Sequence, residues 1–380
     1  MHNEQYRHVD REAVIESIDI ESLEKLSENQ KPPKTRRSLR ERLDHLKKNV
    51  QGTLLIKSQE ALNARQVLIK IHGEARNSWS KTTESASTNS DGSTSTTTST
   101  TYYDSTIEIL SGESRVWGVC VGKSEIPAGE LRLDFSFNLP PNCLSTFHSF
   151  DGKILYSVKA EVDTGRWNFN KTTTSEFTVV KPCDLSLNPK LLAAHRAEKS
   201  HNIGIPLFRK GNVTLTATIS KIGFVPNETL NINLIVNNAS KRKVDMLEIS
   251  LEGKQELLAF EFGKKQYSIE DGFQNEKARF DERKISSKHH GKMKCAISVQ
   301  PHCTESLAIP FEIPCVPSSF ECAISRLFYV LNVSIRSKET LNSSTSCQLP
   351  IVIGDIGFEK VGEYDPPPVY AEKPKMKPAS

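Results

Sequence analysis

The sequence predicts an all-β fold built as two tandem antiparallel β-sandwich lobes, and two observations carry this. First, one apolar pattern recurs without a gap at an offset of 180 positions: Leu54, Leu55 and Ile56 fall on Leu234, Ile235 and Val236, and Val67, Ile69, Ile71 and Gly73 fall on Leu247, Ile249, Leu251 and Gly253. A second match follows in each copy. Phe135, Phe137, Leu139 and Pro140 map onto Ile309, Phe311, Ile313 and Pro314, and Tyr156, Val158, Ala160 and Val162 onto Tyr329, Leu331, Val333 and Ile335. Second, both copies alternate apolar and polar residues with the period of two that lines one face of a pleated strand. Their strand-sized runs are separated by Gly, Pro, Asn and Ser clusters, as in antiparallel sandwiches. A repeat this long is a whole domain rather than a solenoid unit.

Size agrees with two domains and tails, since 380 residues exceed the roughly 100–200 expected of one domain. A net charge of +4 over this length, without an aromatic-rich basic stripe, argues against nucleic acid as a partner. The longest apolar runs, Leu327 to Leu331 and Leu349 to Ile353, are far shorter than the roughly 18 residues of a bilayer span. Residues 1–10 are polar and charged, so the sequence predicts a chain kept in the cytosol. The 8 cysteines have no tight regular spacing and predict reduced thiols; Cys120, Cys295 and Cys347 sit in strand-like runs as small apolar groups. Six Asn-x-Ser/Thr triplets, at Asn170, Asn212, Asn227, Asn238, Asn332 and Asn342, would matter only in a secreted protein.

Residues 1–51 form a charged N-terminal extension, predicted to be partly helical. Val14, Ile15, Ile18, Leu23 and Leu26 recur at roughly helical spacing in an acidic segment, with Asp10 as a cap. The charge then reverses through Lys31, Lys34, Arg36, Arg37, Arg40, Arg42, Lys47 and Lys48, and Ser38 with Glu41 makes a capping-box spacing ahead of Leu39, Leu43 and Leu46. This basic amphipathic segment makes Arg36, Arg37 and Arg40 candidates for contact with an anionic membrane surface; the blander alternatives are a solvated extension or a helix docked on the first lobe.

Lobe one covers residues 52–182, with strands near residues 53–57, 67–74, 102–110, 115–121, 131–139, 153–163 and 175–180. The Ser/Thr-rich tract between Ser80 and Thr101 buries no apolar area and is predicted to be a flexible loop, where phosphorylation is conceivable. A connector over 183–210, marked by Leu185, Leu187, Leu191 and Leu192, leads to lobe two at 211–356. Its strands lie near residues 213–219, 229–237, 244–252, 294–300, 307–313, 327–335 and 346–353, with a long charged hairpin over 263–292 at its rim. Lobe two opens with the strand at 213–219, yet the basic segment stands 180 positions earlier. Either lobe one lacks its first edge strand, which would leave unpaired backbone groups to be covered, or the amino terminus is an alternative start to an otherwise ordinary chain.

Several segments resemble the α-arrestin type of arrestin-domain-containing proteins: "VLIKIHGEARNSW" (67–79), "IPAGELRLDFSFNL" (126–139), "GKILYSVKAE" (152–161), "FTVVKPCDLSL" (177–187), "GFVPNETL" (223–230) and "LPIVIG" (349–354). They occur in family order, and the resemblance runs over residues 52–354, about four-fifths of the chain. The resemblance implies two curved arrestin-type sandwiches joined by a short connector. Family members usually begin with a strand and a Pro-Gly turn, and that element is not recognisable here.

Beyond Ile356 the alternation stops, and the tail at 357–380 is predicted to be disordered. Within it, Pro366, Pro367 and Pro368 favour a polyproline helix whose ordering cost is largely met before binding. Pro367, Pro368 and Tyr370 make a PPxY motif, which a WW domain reads by laying the prolines on aromatic rings and packing the tyrosine in a second pocket. In proteins of the family it resembles, such motifs recruit HECT-type ubiquitin ligases of the NEDD4-like group. One copy gives no avidity.

His289 and His290 with Cys295, and His302 with Cys303, lack the paired tight spacing of zinc ligands. No Gly-x-Gly-x-x-Gly, Gly-x-Ser-x-Gly or Walker spacing recommends an enzyme, so no cofactor or metal is expected. The sequence therefore reads as a cytosolic adaptor. Its lobes would bind cytoplasmic parts of membrane receptors or transporters while its tail brings a ligase, promoting cargo ubiquitination, endocytosis and protein transport. Recruitment to plasma membrane and endosomes would be peripheral. The alternatives are an arrestin-like vesicle-sorting scaffold acting without a ligase, and an extracellular two-sandwich adhesion protein that would use the sequons and disulfides.

Overall fold

The computed structural model describes residues 14–20, 49–88, 93–118, 124–140, 143–165, 170–202, 211–264, 273, 280–337 and 344–358, the first of these as backbone alone. Lobe one contains β1 (Val14–Ile20), β2 (Asn49–Ser58), β3 (Leu62–Ala64), β4 (Gln66–Thr88), β5 (Thr94–Gly118), β6 (Ser124–Ile126), β7 (Gly129–Asn138), β8 (Phe147–His148), β9 (Gly152–Asp163) and β10 (Lys171–Phe177). Lobe two contains β11 (His195–Asn202), β12 (Asn212–Ile219), β13 (Gly223–Phe224), β14 (Thr229–Asn238), β15 (Val244–Glu261), β16 (Glu282–Val299), β17 (Cys303–Glu312), β18 (Phe320–Glu321), β19 (Ser325–Arg336) and β20 (Ser344–Ile353).

In lobe one the antiparallel sheet β1-β2-β7 faces the antiparallel sheet β10-β9-β4-β5. Alternate residues point inward: Leu54 and Ile56 from β2, Val67, Ile69 and Ile71 from β4, and Ile154, Tyr156, Val158, Ala160 and Val162 from β9 form one buried core. Lobe two repeats the plan with β11-β12-β14-β17 against a sheet holding β16, β15, β19, β20 and β13. Its core draws on Ile232, Leu234 and Val236 of β14, Leu247, Ile249 and Leu251 of β15, and Tyr329, Leu331, Val333 and Ile335 of β19. The pairings correspond as the repeat requires: Leu54 lies opposite Leu133 as Leu234 lies opposite Leu307, and Ile69 lies opposite Ala160 as Ile249 lies opposite Val333.

One packing device is duplicated in detail. A Cβ added at Gly73 would fall 2.5 Å from the Tyr156 ring, and one added at Gly253 would fall 3.0 Å from the Tyr329 ring, so each tyrosine lies flat over a glycine of the neighbouring strand. The Tyr156 hydroxyl donates to the Leu144 carbonyl at 2.7 Å, and the Tyr329 hydroxyl donates to the Pro317 carbonyl at 2.6 Å. Each phenol thereby fastens the segment that follows the edge strand β7 or β17. Burial pushes both phenols above the ordinary tyrosine range.

Three expectations are corrected. Val14–Ile20 is a strand rather than part of a helix, and it pairs antiparallel with β2 from Val14↔Lys57 to Ile20↔Gly52. It therefore fills the place of β12, which pairs with β14 in lobe two, and the first strand of lobe one is set back rather than missing. The apolar spacing of this segment suits either period, and its run of Val and Ile residues, stiff at χ1, favours the strand. The remainder of the expected acidic and basic helices lies outside the described residues.

Second, the Ser/Thr tract is an extended ribbon: β4 and β5 stay in register from Ser80↔Tyr102 out to Thr88↔Thr94. Thr82 and Thr100 hydroxyls meet across it at 3.2 Å, and Ser87 and Ser95 at 2.8 Å. The two backbones satisfy one another's hydrogen bonds, which lets a polar tract order without burying apolar area. Third, the connector carries β11, an edge strand paired with β12 from His195↔Ile219 to Asn202↔Asn212.

Candidate functional site

The lobes meet through β5 and β15, where Phe260 pairs with Asp104 and Glu261 with Tyr103, so one sheet runs across the molecule. Asn77, fully buried on β4, donates through Nδ2 to the carbonyls of Leu258 at 3.0 Å and Ile324 at 2.7 Å, both in lobe two. Ser105 of β5, also buried, donates to the same Leu258 carbonyl at 2.6 Å. Each is a polar residue in an apolar-phase position, and each is justified by a partner across the interface.

Apolar contact surrounds this polar seam. Trp79 and Tyr103 stack with ring centroids 5.9 Å apart over Leu257 and Ala259, and Phe147 meets Phe320 edge-on at 4.9 Å. A Cβ on Gly152 would fall 2.8 Å from Leu257 and 2.9 Å from Asn77, so only glycine lets the turn at the start of β9 approach lobe two this closely. Ion pairs close the rim. Lys81 reaches Glu282 at 2.9 Å, and Lys284 reaches the buried Asp151 at 2.8 Å while lying over the Trp79 ring. The hydrogen bond that it donates to Glu282 holds the Lys81 ammonium above the ordinary lysine range. Beside them the fully buried carboxylate of Glu256 sits between Arg283 and Arg326, the latter donating from Nε at 2.6 Å.

At the waist the end of lobe two is clamped to the connector. Cys183 donates its backbone N–H to Asp355 Oδ2 at 2.7 Å, Leu185 donates to the Ile356 carbonyl at 2.9 Å, and Asp184 bridges Ile356 in parallel. The Phe358 ring packs within 3.1 Å of where a Cβ on Gly223 would lie, with Lys221 above it. Residues 355–358, the last described, are thus held against the connector and the start of lobe two.

Pro367, Pro368 and Tyr370, and Arg36, Arg37 and Arg40, lie outside the described residues. Cys295 and His289 lie on β16 opposite Leu247 and Glu252, and among the described residues no cluster of three or more His, Cys, Asp or Glu could hold a metal ion. Among the described residues seven cysteines are free thiols, and burial raises those of Cys143, Cys183, Cys322 and Cys347. Among the described residues no helix is long and apolar enough to cross a membrane. Sequence reasoning missed Asn77, Ser105 and Asp151, whose meaning depends on contacts between lobes, and Glu256, whose arginine partners lie on the neighbouring strands β16 and β19; for Asn77 and Ser105 the available signal was a polar residue standing in phase with core positions.

Comparison with known proteins accords with this architecture. Residues 36–186 match the family described as arrestin (or S-antigen), N-terminal domain, and residues 209–358 match arrestin (or S-antigen), C-terminal domain. The chain belongs to the arrestin-domain-containing proteins, of α-arrestin-like type. It is similar to arrestin domain-containing protein 1 of Mus musculus, 29% identical over 129 residues that make 34% of this chain and 30% of the relative. The Homo sapiens arrestin domain-containing protein 1 is 25% identical over 236 residues, 62% of this chain and 48% of that protein. Arrestin domain-containing protein 4 of Mus musculus is 26% identical over 319 residues, 82% of this chain and 69% of the relative. The chain spans between about a third and a half of the length of the first two relatives.

Proposed function

We propose that this chain is a cytosolic adaptor that links membrane-protein cargo to a NEDD4-like HECT ubiquitin ligase, so that cargo is ubiquitinated and internalised. The observation that carries the reading is the Pro367-Pro368-x-Tyr370 spacing in the segment that follows an arrestin pair. The chain leading to that spacing is held to the connector at Asp355 and Ile356, which supports a tail that works beside the lobes. The chemistry then belongs to the ligase. The adaptor contributes proximity, raising the effective concentration of ligase near cargo lysines.

Pro367 and Pro368 would lie on the aromatic groove of a WW domain, with Tyr370 in the neighbouring pocket. Titrating a WW domain of such a ligase with the full chain tests this. Tyr370→Ala is expected to abolish measurable binding, and undiminished binding would mean that the tail is not the contact. Loss of WW binding with cargo sorting intact would instead favour a scaffold that works without a ligase. Arg36, Arg37 and Arg40 would supply a peripheral contact with anionic lipid at plasma membrane or endosomes, each basic residue contributing about 1 kcal/mol near the surface. Replacing all three by Ala should reduce co-sedimentation with phosphatidylserine vesicles, and unchanged sedimentation would remove this element.

A further inference from the structure

The duplication supplies an internal reference for lobe two. Near Gly73 the inner face of lobe one is closed by apolar side chains: the fully buried Ala75, its cross-strand neighbour Ile107, and Leu110, whose Cβ lies 3.0 Å from the place of a Cβ on Gly73. The offset that carries Gly73 to Gly253 carries Ala75 to Gln255. The cross-strand neighbour of Gln255 is Ser286, and the side chain over Gly253 is His290, with Nε2 2.7 Å from the place of a Cβ there. Two apolar positions of one lobe are polar in the other, and a histidine fills the space over the glycine where lobe one has Leu110.

Around these three residues a cavity of about 360 Å³ opens between lobe two and the turn at residues 147–151 of lobe one. This lies within the size range of ligand sites. Leu327, Pro317 and Phe147 supply apolar lining, and Phe150, 97% exposed, stands at the rim. Gln255 is only 7% exposed, and its Nε2 donor finds no hydrogen-bond partner among the described residues. A buried amide donor without an acceptor is costly, so an occupant that brings an acceptor is favoured.

We propose that this cavity binds a client peptide through an Asp or Glu side chain that accepts from Gln255 and pairs with Lys288, with an adjacent apolar side chain against Phe147, Phe150 and Leu327. The peptide nature of the ligand rests on the adaptor reading above; the carboxylate rests on the lining. Lys288 is the one lysine or arginine among the lining residues, and the Asp151 carboxylate is already held by Lys284 at 2.8 Å. Burial, with Lys288 and His289 beside it, holds His290 below the ordinary histidine range and so toward its neutral form. One positive charge and a neutral amide suit a carboxylate. A phosphate dianion is ordinarily met by arginine or by several cations.

The test uses the full chain and an array of labelled octapeptides with Asp or Glu fixed beside Phe, Leu or Ile and randomised flanks, read by fluorescence polarisation. Peptides selected on the wild-type chain are expected to bind at least about tenfold more weakly to Gln255→Leu and to Lys288→Ala, and their Asn or Gln counterparts about tenfold more weakly to wild type. The triple variant Gln255→Ala, Ser286→Ile, His290→Leu copies the lining of lobe one and is expected to melt no lower than wild type while losing binding. No selected peptide on wild type, equal binding by the variants, or tighter binding of phosphoserine peptides would overturn the proposal. A lowered melting temperature in Gln255→Leu with binding intact would also overturn it, assigning Gln255 to an internal link with Asn77, whose Oδ1 is likewise unpaired. WW-domain binding measured on the same variants separates the two failures, since it depends on Tyr370 and not on the cavity.

Discussion

A glycine beneath a tyrosine ring sets the inner packing of both lobes, and the two copies differ in how much they can yield. At Gly73 the added Cβ would meet the Tyr156 ring at 2.5 Å, and that ring is buried with its hydroxyl tied to Leu144. At Gly253 the nearest atom belongs to His290, a half-buried side chain that borders a cavity into which it can give, and the Tyr329 ring is 3.0 Å distant. Overpacking of a rigid core costs about 1–3 kcal/mol. Gly73→Ala is therefore expected to lose about that much in urea unfolding and Gly253→Ala clearly less; equal losses would show that the tyrosine of lobe two is as immovable as that of lobe one. Both glycines and both tyrosines were visible in the sequence as matched positions. What the pattern could not carry was the reason for the match, because a ring and a glycine on neighbouring strands become partners only once register is known.

Elements divide along the same line. Strands with inward alternation, such as β2, β4, β9, β14, β15 and β19, could be read directly because burial on one face enforces a period of two. β1 could not, since Val14, Ile15 and Ile18 satisfy helical spacing as well, and its partner lies beyond a stretch of nearly thirty residues. The outer ribbon of β4 and β5 could not either, because its pairing is made of backbone hydrogen bonds that leave no hydrophobic trace. In the β1-β2-β7 sheet, β2 is the central strand. Deleting residues 1–20 would expose one of its edges, and amide exchange at Thr53–Lys57 is expected to quicken at least about tenfold, while residues of β9 keep their protection. Unchanged exchange in β2 would mean that β1 does not cover it.

On the scale of the whole molecule, two sandwiches act as one body because a shared sheet, the Asn77 and Ser105 hydrogen bonds, and the Lys81 and Lys284 ion pairs all cross the same seam. The seam was the least legible part of the sequence. Asn77 and Ser105 sit in phase with core residues and read locally as exceptions, and only the arrival of Leu258 and Ile324 from the other lobe explains them. The Pro367-Pro368-x-Tyr370 spacing is legible as a motif in the sequence, and it lies outside the described residues. On the proposed reading, the joined lobes would hold a client and the tail would summon a ligase, so the two tasks would be separable. Proximity labelling in cells that express the wild-type chain or Tyr370→Ala tests that separation most directly. The account expects the variant to lose HECT-type ligases from its labelled neighbours while keeping the same membrane-protein cargo; ligases labelled equally by both chains, or cargo lost together with the ligase, would contradict it.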